Sequence, residues 1–183
     1  IKYAKVYSPN AERRQLFARE MSSKLGIPID AVDSPEEAVK DVDIVNVATN
    51  TASRGNIIAF KGQWMREGVH VNAIGSTMPS LREIDADSFD RADLIVVDTK
   101  HLEAESGDVM DAIAQGKYDR SKVVEMKEIV GGTFTRSDRQ ITLFKSVGTA
   151  IQDVMSGYAI YLEAEKLGIG VDVRGLLGTK VFN

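Results

Sequence analysis

The sequence contains no cysteine, so disulfide bonds, thiolate nucleophiles and cysteine-ligated zinc are all excluded. Its two histidines, His70 and His101, are well separated in the sequence, which argues against a metal site. No apolar run approaches the roughly 18 residues that a membrane span needs, and no segment resembles a signal peptide. We therefore expect a cytoplasmic protein that holds no metal ion and does not act at a membrane.

Blocks of like charge are also missing. The 27 acidic and 23 basic residues are mixed along the chain and leave a formal net charge of −4. A nucleic-acid-binding domain normally shows a basic patch or stripe, so we expect neither DNA nor RNA as a partner. A small molecule is the expected ligand.

Five short apolar runs rich in β-branched residues recur along the chain, and helix-like stretches separate them. The runs cover residues 3–7, 43–49, 70–74, 93–97 and 141–144. Several lack polar alternation, which is typical of strands that helices cover on both faces. With no internal repeat and no linker, the pattern predicts a single domain over residues 1–183. We expect a doubly wound, mostly parallel α/β sheet with helices on both faces.

Helix signals lie between these runs. Residues 10–25 have apolar side chains at helical spacing and are followed by Gly26, a common helix stop. Ser34 is expected to cap a short helix, with Glu37 completing a capping box. Residues 149–167 predict the longest helix. One of its faces is interpreted as core or interface and carries Ile151, Val154, Met155, Tyr158 and Leu162.

In a doubly wound sheet, ligands bind beyond the carboxyl ends of the strands. Ser8 follows the first run, and Asn10, Arg13 and Arg14 come soon after it. An acid at this place would bind the hydroxyls of an adenine ribose, whereas a hydroxyl and guanidinium groups suit a 2′-phosphate. The chemistry favours NADP over NAD. A helix cap followed by two solvated arginines explains the same residues and stays open.

The runs that start at residues 43 and 70 end in small or hydroxyl-bearing residues. Ala48, Thr49 and Asn50 would let an adenosine approach the backbone and form hydrogen bonds with it, although such residues are also common in turns. Gly75 would let the backbone approach a flat ring, and Thr77 offers a hydroxyl to a reacting group. An ordinary loop after a strand is the alternative in both cases.

The last run passes directly into the longest helix through Ser146, Val147 and Gly148. Free N–H groups at the start of a helix favour an anion or a polarised carbonyl. A tight turn between a strand and a helix explains the same residues without a ligand.

Three stretches of the chain carry a resemblance to a known family. They are residues 71–79 with Arg82 and Glu83 following, residues 105–108, and residues 144–153. In this order they resemble the ornithine cyclodeaminase and mu-crystallin family. The resemblance implies the Rossmann domain of a homodimeric, two-domain protein that uses a nicotinamide dinucleotide and acts on small imino or amino acids.

The same resemblance implies what stands before Ile1 in such proteins. A substrate and dimerisation domain would precede this chain, followed by the first strand and a glycine-rich phosphate loop. No GxGxxG motif occurs in the sequence. We expect a partial dinucleotide-binding domain that lacks that strand and loop. Residues 149–183 are expected to pack on the missing domain, and an isolated chain without activity stays an alternative.

Strand-end chemistry and the resemblance together give the expected cofactor-binding residues. They are Ser8, Asn10, Arg13, Arg14, Ala48, Thr49, Asn50, Ile74, Gly75 and Ser146. The resemblance puts Ser8 and Asn10 at the adenosine 2′ position and Thr49 and Asn50 near the adenosine. It puts Ile74 against the nicotinamide.

Substrate contacts are expected from Val147 and Gly148, and Thr77 is the candidate catalytic residue. Ornithine cyclodeaminases carry an aspartate at the place of Thr77, and a threonine cannot take up a proton at neutral pH. Archaeal alanine dehydrogenases of this family tend to carry an aspartate at the places of Ser8 and Lys145. These differences favour an NADPH-dependent reductase of ketimines or cyclic imines.

Other functions remain open at this stage. NADH is an alternative cofactor. An ornithine cyclodeaminase, an amino-acid dehydrogenase and a non-catalytic, crystallin-like NADPH-binding protein are alternative functions, since the same residues would serve them.

Overall fold

A computed structural model describes residues 1–51, 55, 57–132 and 134–171. It divides into two units, Ile1–Val147 and Gly148–Asn183, each of which is described by itself. The end of the predicted carboxyl-terminal tail, residues 172–183, lies outside the described residues. In the part of the chain that is described, no helix is long and apolar enough to cross a membrane.

The first unit alternates strands and helices. Its strands are β1 (Ala4–Val6), β2 (Ile29–Ala31), β3 (Ile44–Val47), β4 (His70–Ala73), β5 (Leu94–Val97), β6 (Val123–Glu125) and β7 (Thr142–Lys145). Its α-helices are α1 (Ala11–Leu25), α2 (Pro35–Val39), α3 (Ala86–Arg91), α4 (Gly107–Ala114) and α5 (Met126–Gly131). All five predicted strands are confirmed, whereas β2 and β6 were not predicted, since each is three residues long and includes an acidic residue.

Every strand pairing is parallel, which confirms the predicted Rossmann-type α/β class. Five strands form one sheet in the order β3-β4-β7-β5-β6. All four residues of β5 are buried, as expected for a strand that is covered on both faces. Val71, Ile95, Val97 and Leu143 are wholly buried and lie at the centre of the hydrophobic core.

The expectation that all five runs lie in one sheet is wrong for the first run. Among the described strands, β1 pairs only with β2, in a separate two-stranded sheet. In the common dinucleotide-binding order 3-2-1-4-5-6, strand 1 lies between strands 2 and 4. The expectation that a strand and its phosphate loop precede β1 would account for two separate sheets, and it stays a prediction.

The ends of the first two helices follow from local hydrogen bonds. α1 ends at Gly26, whose φ of 68° is left-handed and easily adopted by glycine. Ser34 caps α2 by accepting a hydrogen bond from the backbone N–H of Glu37 at 3.1 Å. The Glu37 carboxylate accepts from the N–H of Asp33, at 3.3 Å. The cap is thus confirmed. The predicted capping box is wrong, because the Glu37 carboxylate accepts from the N–H of Asp33 and not from the N–H of the capping residue Ser34.

The second unit contains the predicted long helix, α6 (Ala150–Leu167). Thr149 caps it in a capping box with Gln152, and Gly168 ends it with a φ of 63°. As a unit on its own, this helix leaves its predicted apolar face exposed. The interpretation of that face as core or interface stays a prediction.

Candidate functional site

Three of the four predicted strand-end sites meet at one edge of the five-stranded sheet. The register pairs Val47 with Ala73, and it pairs Lys145 with both Ala73 and Val97. The residues that follow these pairs are Ala48, Ile74, Ser146 and Asp98. They therefore stand side by side at the carboxyl edge, which is the ligand-binding edge of a doubly wound sheet.

A buried glutamate ties the ends of β3 and β4 together. The side chain of Glu83 is completely buried. Its Oε1 accepts hydrogen bonds from the Thr49 N–H at 2.5 Å and the Thr49 hydroxyl at 2.9 Å. Its Oε2 accepts from the Gly75 N–H at 2.7 Å. Since the Thr49 hydroxyl gives its proton to Glu83, it can meet a ligand only as an acceptor.

Gly75 is required by this arrangement. A Cβ at residue 75 would overlap the Glu83 carboxylate and would lie 2.5 Å from the carbonyl oxygen of Thr49. The close approach that glycine permits here is therefore that of a buried carboxylate. The predicted contact of Gly75 with a flat ring stays a prediction.

The bonds from Glu83 to Thr49 and Gly75 are called the Glu83 brace below. Beside this brace, the edge presents an apolar surface and hydroxyl groups. Ile74 is 48% exposed although it directly follows the buried Ala73. Thr77 is also exposed, three residues further along. An exposed isoleucine at this edge offers an apolar contact for a flat ring, and the predicted contact of Ile74 with a nicotinamide stays a prediction.

The end of β7 is fixed by Asp98, which directly follows β5. Its Oδ2 accepts hydrogen bonds from the Ser146 hydroxyl at 2.7 Å and from the Val147 N–H at 3.0 Å. Because the hydroxyl of Ser146 donates its proton to Asp98, the Ser146 Oγ can bind a ligand only as a hydrogen-bond acceptor. A carboxamide N–H₂, such as that of nicotinamide, is the matching donor. Gly148 begins the second unit with a φ of 82°.

Lys145 is completely buried just before Ser146. Its ammonium group donates to the carbonyl oxygens of Ala73 at 3.3 Å and Ser76 at 3.1 Å. It also lies 3.7 Å from Oδ2 of Asp108. Lys145 thus binds the backbone that leads out of β4 and neutralises a buried carboxylate.

Burial shifts both partners of this pair. It raises the pKa of Asp108 to about 6, against the opposing effects of the Glu83 N–H and of Lys145. Burial likewise lowers the pKa of Lys145, while Asp108 and Glu83 raise it. Because the Glu83 N–H donates to Oδ1 of Asp108 at 2.8 Å, the buried pair and the Glu83 brace form one network.

The predicted site at Ser8, Asn10, Arg13 and Arg14 follows β1 and so lies at the separate two-stranded sheet. Asn10 accepts a hydrogen bond from the Arg13 N–H at 2.9 Å and caps α1, as the alternative explanation expected. Arg13 is exposed, whereas Arg14 is only 9% exposed. Arg14 pairs with the carboxylate of Asp33 and donates to the Ser8 carbonyl at 3.1 Å. The two arginines therefore differ in what they offer a ligand.

Sequence reasoning assigned no role to four residues of these networks. They are Asp33, Glu83, Asp98 and Asp108. Asp98 directly follows the run at 93–97, so the rule applied to other strand ends would have found it. Glu83 and Asp108 lie outside the strands. Both belong to the stretches that carry the family resemblance, but no pattern of side chains around them predicts a buried acceptor.

Within the described ranges, no group of three or more histidine, aspartate or glutamate side chains is arranged to hold a metal ion. At the carboxyl edge, hydroxyl and backbone N–H groups already donate hydrogen bonds to the carboxylates of Glu83 and Asp98. The arrangement suits an organic ligand with donor groups of its own.

The model of the ornithine cyclodeaminase/mu-crystallin family matches residues 1–167. A Δ1-pyrroline-2-carboxylate reductase from Bacillus cereus is 31% identical over 169 residues, which cover 90% of this chain and 50% of the relative. The rat ketimine reductase mu-crystallin is 28% identical over 161 residues, which cover 88% of this chain and 47% of the relative. The chain thus spans about half the length of these curated relatives.

Among solved structures, the chain is similar to the Δ1-pyrroline-2-carboxylate reductase of Thermococcus litoralis in complex with NADH and L-proline. The two share 38% sequence identity, with a TM-score of 0.85. The match covers 94% of this chain and 53% of the other.

Proposed function

Because the chain belongs to the ornithine cyclodeaminase/mu-crystallin family, we propose that it forms the dinucleotide-binding part of an imine reductase. The substrate is a cyclic or N-substituted α-imino acid of the pyrroline-2-carboxylate or ketimine type. The cofactor is NADPH or NADH. The observation that carries this proposal is the similarity to the Thermococcus litoralis reductase, which was solved with NADH and L-proline.

The reaction adds a hydride to the carbon of the C=N bond and leaves an amine. A reduced nicotinamide, when bound, supplies the hydride. The imine nitrogen is basic and arrives protonated, so the site needs no strong acid of its own. The task of this chain is then to hold the reacting groups at one edge and in one orientation.

The residues at the carboxyl edge suit this task. Ile74 offers the apolar contact for a ring, and the Ser146 oxygen accepts from a carboxamide. Thr77 is exposed near this strand end and would orient the substrate or a water molecule. Ala48, Thr49 and Asn50 would contact the adenosine, while Val147 and Gly148 would lie near the substrate.

A steady-state assay of the complete protein tests the proposal. The protein is mixed with NADPH or NADH and with Δ1-pyrroline-2-carboxylate or Δ1-piperideine-2-carboxylate, and both oxidation of the cofactor and formation of the amino acid are followed. We expect one amino acid formed for each cofactor oxidised. Tight cofactor binding without oxidation on any imine would favour a non-catalytic binding protein instead.

Release of ammonia from ornithine would favour the cyclodeaminase alternative, against which the threonine at position 77 argues. Reduction of pyruvate with ammonia would favour an alanine dehydrogenase. The homodimer and the cytoplasmic location belong to the proposal as predictions, and light scattering of the complete protein tests the first.

A further inference from the structure

The two-stranded sheet ends in a charge arrangement that strand-end reasoning did not anticipate. β1 and β2 are in register, with Val6 opposite Ala31. Ser8 and Asp33 each follow these partners by two residues, so they stand at the same edge. The acid that an NAD-binding domain would carry at the tip of β1 is thus replaced by Ser8, but the neighbouring strand brings an acid to the same edge.

Arg14 joins the two strand ends. It donates to the Ser8 carbonyl at 3.1 Å and pairs with the Asp33 carboxylate. Its guanidinium lies 5.7 Å from the centre of the Tyr7 ring, and its Nε is buried and has no hydrogen-bond partner in the described part of the chain. The Asp33 side chain is 90% exposed, so its carboxylate faces solvent while it neutralises a buried cation.

An adenosine 2′-phosphate and a 2′-hydroxyl would respond differently to this pair. The phosphate is repelled by the carboxylate, and it gains less from an arginine whose charge is already neutralised. The hydroxyl is not repelled and can donate a hydrogen bond to the carboxylate. Arg13 is exposed on the same helix and has no carboxylate partner among the described residues, so its full charge attracts a phosphate.

We propose that Asp33 is a specificity-determining residue that weakens binding of an adenosine 2′-phosphate by pairing with Arg14. The inference rests on the proposed function, because it places the adenosine of the cofactor at this edge. It makes the NADP preference expected from Ser8, Arg13 and Arg14 depend on a fourth residue. Removing the Asp33 charge strengthens binding of NADPH relative to NADH.

The test uses the adenosine half of the cofactor and needs no catalysis. Calorimetric titration of the complete protein with adenosine 2′,5′-bisphosphate and with 5′-AMP gives the two dissociation constants. In Asp33→Asn, the bisphosphate binds about fivefold more tightly and 5′-AMP changes by less than about twofold, as expected for one partly solvated charge contact. Asp30→Asn removes the same charge from the middle of β2 and leaves the ratio of the two constants unchanged.

The same substitution in an Arg14→Gln variant tests whether Asp33 acts through Arg14. In Arg14→Gln, adding Asp33→Asn still removes the repulsion of the phosphate but frees no guanidinium N–H groups to bind it, so the ratio changes clearly less than it does in the wild-type background. An equal gain in both backgrounds overturns the inference, and so does an Asp33→Asn variant with an unchanged ratio. Failure of both nucleotides to bind any variant contradicts the proposed function, and the inference falls with it.

Discussion

The ammonium group of Lys145 lies 3.7 Å from Oδ2 of Asp108, and both side chains are completely buried. Burial raises the pKa of Asp108 to about 6 and lowers that of Lys145. Asp108 therefore changes its protonation at a pH where an exposed aspartate is already ionised. This shift links the stability of the fold to pH.

Asp108→Asn tests that link. An asparagine keeps an oxygen for the N–H groups of Glu83 and Ile84 but cannot ionise. The folded pKa of Asp108 is raised, so its contribution to stability is present below about pH 4 and is lost as the pH rises through about 6. From about pH 4 to about pH 7, the free energy of unfolding of the wild type should fall relative to the variant by roughly 3 kcal/mol. Urea unfolding at both pH values measures this, and a constant difference would refute the shifted pKa.

Glu83→Gln tests the brace between β3 and β4. The variant keeps the shape of the side chain but replaces one acceptor oxygen by a donor N–H₂, which then faces an N–H group. We expect a loss of about 1–3 kcal/mol in the free energy of unfolding and about tenfold weaker cofactor binding. Calorimetric titration and urea unfolding provide the two values.

The matched control for that variant is Glu67→Gln. Glu67 is 65% exposed and pairs with the exposed Arg139. We expect little change in cofactor binding from it, because solvent screens a surface pair. Equal effects of the two variants on cofactor binding would remove Glu83 from the site.

Gly75→Ala tests the tight contact between the β4 end and the Glu83 carboxylate. Because a Cβ there would also lie 2.5 Å from the Thr49 carbonyl oxygen, either the carboxylate or the backbone must shift. We expect a loss of about 1–3 kcal/mol in the free energy of unfolding. Gly131→Ala is the control, since, apart from its chain neighbours and the backbone of its own helix, no atom of the described residues lies within 4 Å of its added Cβ. Equal stability of the two variants would contradict the described packing.

The sequence predicted the parts of this fold that depend on local pattern. Runs of β-branched residues indicated five strands, and Gly26 marked the end of a helix, because side-chain periodicity and glycine conformation are local properties. The short strands β2 and β6 each include an acidic residue and so carry too little apolar pattern to be recognised. The division into two sheets depends on pairing between distant strands, which periodicity does not encode.

The residues of the candidate site likewise fall into those that local sequence predicts and those that it does not. Ala48, Ile74 and Ser146 were found because each follows a strand, and parallel strands place such residues at one edge. Glu83 was not, because its partner Thr49 is 34 residues away and only the folded chain brings them together. The pairing of Arg14 with Asp33 spans 19 residues and was missed for the same reason.

Thr77→Ala tests the predicted catalytic position. The hydroxyl is exposed and is expected to orient the substrate or a water molecule, so its loss should lower kcat by about tenfold or more through poorer alignment. The dissociation constant of the cofactor should stay nearly unchanged. Steady-state kinetics and cofactor titration separate the two effects, and an unaltered kcat would remove Thr77 from the mechanism.

The most direct measurement follows the hydrogen that is transferred. The complete protein is given reduced nicotinamide cofactor carrying deuterium at the transferred position, together with Δ1-pyrroline-2-carboxylate, and the proline formed is analysed by mass spectrometry and NMR. We expect one deuterium at the α-carbon of each proline, because the hydride passes directly to the imine carbon. Proline without deuterium at that carbon, or bound cofactor that never becomes oxidised, would contradict an imine reductase.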